Sequence, residues 1–204
     1  MSFTLIIVII TVLISLAAFN NEQLHHKLIL WPRRMDNPAE YHRLLTSGFI
    51  HADYLHLIFN MLALYLFGRN VEAFYAFSGM PAFLFPVMYL TGIVAASLPS
   101  FSRHRNDPYY RSLGASGGVA AVLFSFIYFA PWAVIYVWFI PVPGIIAAVG
   151  YLVYSAYMSK QQRDNVNHDA HFWGAVFGFV FTLLFAPDHG KEFLARLLHP
   201  EFNF

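Results

Sequence analysis

The sequence contains no cysteine and few charged residues. Zero cysteines among 204 residues exclude disulfides, thiolate metal sites and a cysteine nucleophile. Charged residues make up 11% of the chain, and the formal net charge of +1 leaves no basic surplus, so no nucleic-acid partner is expected. Hydrophobic residues make up 58%, with a mean hydropathy of +0.54, and this composition predicts an integral protein of the lipid bilayer.

Long apolar runs predict an all-α, polytopic membrane protein, a bundle of six transmembrane helices. The first run has no Lys or Arg before it and is longer than a usual signal core, so a retained span is expected. No internal repeat or second domain is evident, so residues 1–204 are predicted to form a single membrane domain with a short tail at 187–204. The predicted spans cover residues 2–19, 54–75, 80–98, 115–130, 140–158 and 169–186.

Polar side chains within the spans are concentrated at the N-terminal ends of spans two, four and six. They are His56 and Asn60, then Ser116, then His171. Alternate spans cross the membrane in the same direction, so these ends lie on one face of the bilayer and can meet. Polar residues in lipid are costly and usually face a bundle interior or a wet cavity.

The fourth span also predicts the depth of Ser116. From Ser116 to Ala130 a helix is about 22 Å long, whereas the hydrocarbon layer is about 30 Å thick. If the helix reaches the far interface, Ser116 begins below the near one, where irregular backbone needs protein or water around it. The sequence therefore predicts a water-filled depression that leads down to Ser116.

These residues have the chemistry of peptide hydrolysis. A serine hydroxyl becomes nucleophilic when a base takes its proton, and the His171 imidazole suits that role. Asp169 is two residues from His171 and does not share its helix face, so a Ser–His dyad is favoured over a triad. His56 and Asn60 are four residues apart on one face, and with the Ser116 backbone N–H they can hold an oxyanion.

Small residues are expected to bring spans four and six together. Gly174 and Gly178 follow His171 on one helix face and form a smooth strip. That strip is predicted to pack against Gly117, Gly118 and Ala121, which would bring His171 within reach of Ser116.

Structural explanations remain open for each residue taken singly. Gly114 and Gly118 are also typical of membrane helix packing. His56 and Asn60 can form an interhelical clamp, and His171 can be an interfacial histidine. A transporter or a metal-binding membrane protein is disfavoured because the acidic residues cluster in loops and at span ends. No H-E-x-x-H motif is present, which argues against a membrane zinc protease. Neither a metal nor a cofactor is expected.

Three motifs in order resemble the rhomboid family of intramembrane serine proteases. His51, His56 and Asn60 resemble its H-x4-H-x3-N element in span two. The run Gly114-Ala115-Ser116-Gly117 resembles its G-x-S-G nucleophile motif. The run from Ala170 and His171 through Gly174 to Gly178 resembles its A-H-x2-G-x3-G element in span six. The similarity extends from about Arg43 to Ala186.

The resemblance implies that Ser116 is the nucleophile and that His171 is its general base and acid. It also implies that His56, Asn60 and the Ser116 backbone amide stabilise the oxyanion. It implies supporting roles for six further residues: Gly114, Gly117, Gly174, Gly178, His51 and Arg43. The resemblance further implies that the substrates are transmembrane proteins that enter between spans two and five. The loop from Ser159 to His168 would cover the site.

Two positions depart from the family pattern. His42 stands where a tryptophan usually precedes Arg43. Ala120 stands where a ring usually stacks on the catalytic histidine, so either another ring, such as Phe124 or Phe172, supports His171, or the base is held less firmly. The main alternative is therefore a catalytically silent relative that binds transmembrane clients.

The expected location is the cell membrane, with the site open to the non-cytoplasmic side. The first, third and fifth connections carry more Lys and Arg than the opposite side, and this bias favours the reverse orientation. The orientation of the rhomboid family is adopted because it fits the ordered motifs.

Overall fold

The structure, a computed structural model, describes residues 2–137, 139–161 and 166–200. It is mostly helical, with single-turn 3-10 helices at Pro32–Arg34, Pro38–Glu40 and Ser47–Phe49. The α-helices are α1 (Phe3–Phe19), α2 (Glu22–Leu28), α3 (Arg43–Thr46), α4 (Tyr54–Phe77), α5 (Leu84–Arg103), α6 (Ser116–Phe129), α7 (Gly144–Gln161), α8 (His168–Phe185) and α9 (Asp188–Leu198).

Helix α6 occupies the centre of the bundle. Most of its side chains are buried, and α4, α5 and α8 pack around it. Helix α1 packs on α4, whereas α7 lies mainly against α8. Helix α9 turns back beneath the bundle, where Phe193 is buried and stacks on Tyr128 with ring centroids 5.7 Å apart. The N-terminal end of α6 therefore lies among three long helices.

Large apolar side chains are exposed on the outer faces of the bundle. Leu13 of α1, Leu55 of α4 and Val153 of α7 are each more than 60% exposed. Such surfaces are unfavourable in water and favourable against lipid tails. The exposed apolar surface agrees with the membrane environment that the composition predicts.

Among the described residues, the helix Leu84–Arg103 alone is long and apolar enough to cross a membrane by itself. Two pairs of consecutive helices are each bent at a short break, and counting each pair as one span gives up to three spans. The pairs are Pro38–Phe49 with Tyr54–Phe77, and His168–Phe185 with Asp188–Leu198. Phe3–Phe19 and Ser116–Phe129 are shorter apolar helices. The six predicted spans therefore exceed the number that length and composition support.

The predicted fifth span, residues 140–158, begins differently from the prediction. Val134–Val137 (β1) and Ile140–Pro143 (β2) pair as antiparallel strands, with Ile135 opposite Val142. Pro141 and Pro143 lack the N–H that a helix interior needs, and β-branched neighbours favour extended backbone. Helix α7 consequently begins only at Gly144.

The predicted third span, residues 80–98, also has different ends. Helix α5 begins at Leu84 and continues through Pro99 to Arg103. The helix continues past Pro99 because contacts with the start of α8 stabilise its last turn. Ser100 donates to Asn167 at 3.0 Å, and Arg103 pairs with Asp169 at 2.5 Å. These contacts join residues far apart in sequence.

Candidate active site

Ser116 is the first residue of α6, and the loop that leads into it contains a glycine with positive φ. Gly114 has φ +116°, a conformation that favours glycine, and its N–H donates to the Ser47 carbonyl at 2.9 Å. Just before it, Ser112 exchanges both backbone hydrogen bonds with Leu30, at 3.0 and 3.1 Å. The first connection of the chain therefore holds the approach to the predicted nucleophile.

A cavity of about 1060 Å³ extends to Ser116. Its walls include all four residues of the predicted site: His56, Asn60, Ser116 and His171. They come from α4, α6 and α8, as the shared direction of alternate helices predicts. The depression expected above Ser116 is therefore present.

Helices α6 and α8 approach each other at their backbones. A Cβ added to Gly174 would lie 2.2 Å from the Gly117 carbonyl oxygen, and one added to Gly178 would lie 2.1 Å from that of Ala121. Only glycine permits this contact. The predicted packing of Gly174 and Gly178 is confirmed for Gly117 and Ala121, whereas Gly118 faces Tyr89 and Ile93 of α5 instead. The contact places the turn that carries His171 beside the turn that carries Ser116.

Asn167 caps the helix that carries His171, so this helix begins at His168, one residue before the start that the sequence predicts. Its side-chain oxygen accepts from the Ala170 N–H at 3.0 Å, and its amide donates to Ser112 at 2.9 Å. One side chain thus connects α8 to the loop before Ser116. An asparagine before an apolar run was the available sequence signal.

Asp169 is engaged away from His171. Its carboxylate pairs with Arg103 and accepts a hydrogen bond from Ser159 of α7. These contacts tie together the ends of α5, α7 and α8. Asp169 therefore has its partners on α5 and α7.

His56 points toward the backbone next to Ser116. The Ala52 N–H lies 3.5 Å from His56 Nδ1, which leaves the proton of a neutral imidazole on Nε2. A Cβ added to Gly114 would lie 2.8 Å from that Nε2. Asn60 donates one amide N–H to the His56 carbonyl at 2.9 Å, and its side chain lines the cavity.

His51 is fully buried and connects α1 to the loop before Ser116. Its Nε2 accepts from the Ala115 N–H at 3.3 Å, and its Nδ1 donates to Ser15 Oγ at 2.9 Å. Ser15 in turn donates to the Phe49 carbonyl at 2.9 Å. Burial, with a smaller contribution from neighbouring His56, lowers the pKa of His51 to about 3. The imidazole is therefore neutral, as this hydrogen-bond pattern requires.

Arg43 lies away from the cavity. It is buried, pairs with Glu40, and donates to the carbonyls of His26 and Ile29 at 2.7 and 2.8 Å. Its hydrogen bond lowers the pKa of Glu40. Arg43 therefore holds the first connection together, and His42 beside it contacts the Ala39 and Lys27 carbonyls at 2.8 and 3.2 Å.

The ring that stacks on His171 comes from α7. The rings of Tyr151 and His171 are nearly parallel, with centroids 5.9 Å apart. Of the two rings considered from the sequence, Phe124 contacts Tyr151 and Phe172 contacts Trp173. Nothing in the sequence pairs position 151 with position 171, because the contact depends on how α7 lies against α8.

Among residues 2–137, 139–161 and 166–200, no group of three or more His, Cys, Asp or Glu side chains is arranged to hold a metal ion. Part of the loop expected to cover the site, residues 162–165, lies outside the described residues. The site is thus made of a serine, histidines and an asparagine at the N-terminal ends of membrane helices.

These features define a class: membrane proteins with a cavity that opens at one surface of a helical bundle and contains polar side chains at its wall. The Rhomboid domain family matches residues 38–188, and the chain belongs to that family, whose members are generally intramembrane serine proteases. The three motifs that suggested this family fall within the match.

Two curated relatives are each similar to about two thirds of the chain. RHOMBOID-like protein 12, mitochondrial, of Arabidopsis thaliana is 29% identical over 66% of this chain and 44% of its own length. Rhomboid protein 1, mitochondrial, of Saccharomyces cerevisiae is 30% identical over 68% of this chain and 40% of its own length. The chain thus spans less than half the length of these relatives.

The expected location in the cell membrane is wrong by this comparison. Both relatives are named as mitochondrial proteins. Hydropathy identifies a segment that prefers a bilayer, but it does not distinguish one organelle's bilayer from another's. The expected opening to the non-cytoplasmic side depended on that location and is withdrawn with it.

Proposed function

We propose that this chain is an intramembrane serine endopeptidase that hydrolyses peptide bonds in or near transmembrane segments of other proteins. The observation that carries the proposal is the joint presence of Ser116, His171, His56 and Asn60 on one cavity of a Rhomboid family chain. The bilayer supplies both the environment and the substrates.

The proposed reaction begins at Ser116 Oγ, which attacks the scissile carbonyl carbon while His171 takes the hydroxyl proton. The carbonyl oxygen becomes an oxyanion, held by the Ser116 N–H, His56 Nε2–H and the second N–H of Asn60. Collapse breaks the C–N bond, and His171 gives its proton to the leaving amine. Water, activated by the same histidine, then hydrolyses the acyl-enzyme and frees Ser116.

Labelling of the purified protein with a fluorophosphonate tests the dyad. The detergent-solubilised wild type is expected to label, whereas Ser116→Ala and His171→Ala are not. Ser102→Ala, an exposed serine near the end of α5, is the matched control and should label like the wild type. A folded wild type that does not label contradicts the proposal and favours the client-binding alternative.

Cleavage of a transmembrane substrate separates a serine mechanism from metal chemistry. In liposomes, the wild type should cut a helical membrane peptide equally well with and without a strong chelator, and Ser116→Ala should not cut it. Loss of cleavage on chelation would contradict the Ser–His mechanism.

We also propose six membrane crossings, with α1 and α6 crossing despite their short apolar helices and α7 crossing after the hairpin. An even number of crossings puts residues 2 and 200 on the same side. Tags at these two positions should share protection from an added protease in sealed vesicles. Opposite protection would exclude six crossings.

The printed location of the two relatives supports a mitochondrial membrane as the site of action. An antibody to the chain should detect it in the carbonate-resistant fraction of mitochondria from its source cells. Detection in another membrane alone would contradict this location.

A further inference from the structure

We propose that Tyr151 is a positioning residue that holds the His171 imidazole in its working orientation, in the place of a ring on α6. The proposal rests on the proposed function, in which His171 moves protons. It concerns a residue of α7 that the three sequence motifs do not contain.

The contact is a face-to-face arrangement between two helices. The planes of the Tyr151 and His171 rings differ by 20°, with centroids 5.9 Å apart. Parallel rings at this separation favour an offset stack, and a ring against one face restricts rotation of the imidazole. His168 lies edge-on to His171 at 5.8 Å, so a second ring limits the same side chain.

The stack belongs to a short ladder of rings between α7 and α8. Tyr154 stands edge-on to His168 at 5.5 Å, three residues along α7 from Tyr151. His168 precedes His171 by three residues on α8, so two tyrosines one turn apart face two histidines one turn apart. Beyond the ladder, Ser159 donates to Asp169. The register of α7 on α8 is thus set by successive contacts along both helices.

Helix α6 leaves room for Tyr151 and supports it. Ala120, Tyr151 and His171 line the same cavity, and Ala120 contributes only a methyl group. One turn further along α6, Phe124 contacts Tyr151 with ring centroids 5.9 Å apart. Small Ala120 and large Phe124 therefore complement a ring that arrives from α7, and the missing ring at position 120 is replaced from another helix.

Because the ring that stacks on His171 comes from α7, movement of α7 would move the ring as well. Helix α6 is the buried centre of the bundle, whereas α7 has few fully buried residues and packs mainly on α8. Displacement of α7 to admit a substrate would withdraw the ring from His171. The orientation of the base is thereby coupled to the position of α7.

The experiment compares Tyr151→Ala, Tyr151→Phe and the control Tyr157→Ala, an exposed tyrosine of the same helix. Tyr151→Ala is expected to lower kcat for a transmembrane substrate by about tenfold with little change in KM, because a misoriented base slows chemistry more than binding. Tyr151→Phe keeps the ring and should keep kcat within about twofold. Equal kcat in Tyr151→Ala and Tyr157→Ala would overturn the proposal.

Rescue distinguishes positioning from a general structural role. Adding Ala120→Phe to Tyr151→Ala returns a ring beside His171 from the other helix and should recover most of the lost kcat. No recovery, in a double variant that melts at the temperature of the wild type, would contradict the positioning role.

A measurement that needs no activity separates this proposal from the proposed function. In the NMR spectrum, the His171 ring protons, assigned by their loss in His171→Ala, should show an upfield ring-current shift. The shift should vanish in Tyr151→Ala and persist in Tyr151→Phe. If it behaves so in a protein that neither labels nor cleaves, the proposed function fails while the stack stands. An unchanged shift in Tyr151→Ala overturns the stack itself.

Discussion

Gly114 shows how one residue sets the geometry of the nucleophile. Its φ of +116° is strained for any other residue, and His56 occupies the space where a side chain would go. A bend there turns the chain from its pairing with Leu30 into α6. The conformation of Gly114 and the direction of His56 are therefore interdependent.

Gly114→Ala should sharply lower fluorophosphonate labelling. The new Cβ would lie 2.7 Å from His56 Cε1, and the backbone strain costs about 1–3 kcal/mol. Either Ser116 or His56 must shift, and we expect the labelling rate to fall more than about tenfold. Gly79→Ala is the control, since Gly79 has φ +69° with no atom within 4 Å of its added Cβ. Equal labelling of the two variants would contradict this argument.

His51 makes stability depend on pH. Its pKa is lowered from 6.5 to about 3 by burial, so the unfolded chain binds a proton that the folded chain does not bind between these values. The contribution of neutral His51 is complete above about pH 6.5 and is lost as the pH falls toward 3. The free energy of unfolding should decrease by up to about 1.4 kcal/mol per pH unit in this range.

Unfolding in detergent at several pH values measures this effect. His51→Gln cannot titrate at that position, so its stability should change less steeply below about pH 6.5 than that of the wild type. The other histidines titrate in both proteins and cancel in the comparison. Parallel pH profiles would show that His51 does not titrate on unfolding.

At the scale of elements, the packing of α6 on α8 is the contact that assembles the site. The helices touch backbone to backbone at Gly117 with Gly174 and at Ala121 with Gly178. Close backbone approach of this kind is how helices associate tightly in lipid, where hydrophobic burial gives little driving force.

Gly178→Ala should destabilise the protein by about 3 kcal/mol, because its methyl group would meet the Ala121 backbone and push the helices apart. Gly150→Ala on α7 is the matched control. No atom lies within 4 Å of its added Cβ, so it should stabilise the helix by about 0.5–1 kcal/mol. Melting temperatures in detergent test both changes, and similar losses in the two variants would contradict the close contact.

At the scale of the whole molecule, α1 lies before the Rhomboid match at 38–188 yet is tied to the bundle at both ends. At its start, the Glu72 carboxylate of α4 accepts from the Phe3 N–H at 2.6 Å and from Thr4 Oγ1 at 2.8 Å. Near its end, Ser15 bonds to His51. Helix α1 therefore helps to hold in place, through Ser15 and His51, the loop that leads to Ser116.

Glu72→Gln should lower stability by about 1 kcal/mol, because a neutral amide satisfies the positive end of α1 less well than a carboxylate. Glu192→Gln is the control: its exposed carboxylate lies 3.8 Å from Arg196 and should contribute less than about 0.5 kcal/mol. Chemical unfolding in micelles measures both. A larger loss in Glu192→Gln than in Glu72→Gln would contradict the capping role.

Local chemistry made much of this protein predictable. Apolar runs indicate a bilayer whatever the fold, and the directions of alternate spans bring His56, Asn60, Ser116 and His171 to one face. The glycine strip predicts the α6–α8 contact because the spacing of small residues places them on one side of a helix. The β-hairpin before α7 was not predicted although Pro141 and Pro143 lie in its second strand, whereas the passage of α5 through Pro99 depends on contacts with residues far along the chain.

The sequence by itself determined the membrane class, the ordered motifs and which helix ends carry polar groups, because periodicity and composition act over short distances along the chain. Only the tertiary structure decided that Tyr151 stacks on His171, that Asn167 joins α8 to Ser112, and that His51 is neutral between Ser15 and Ala115. Each of these contacts joins residues at least 20 positions apart. Their partners are chosen by how whole helices pack, which no local pattern encodes.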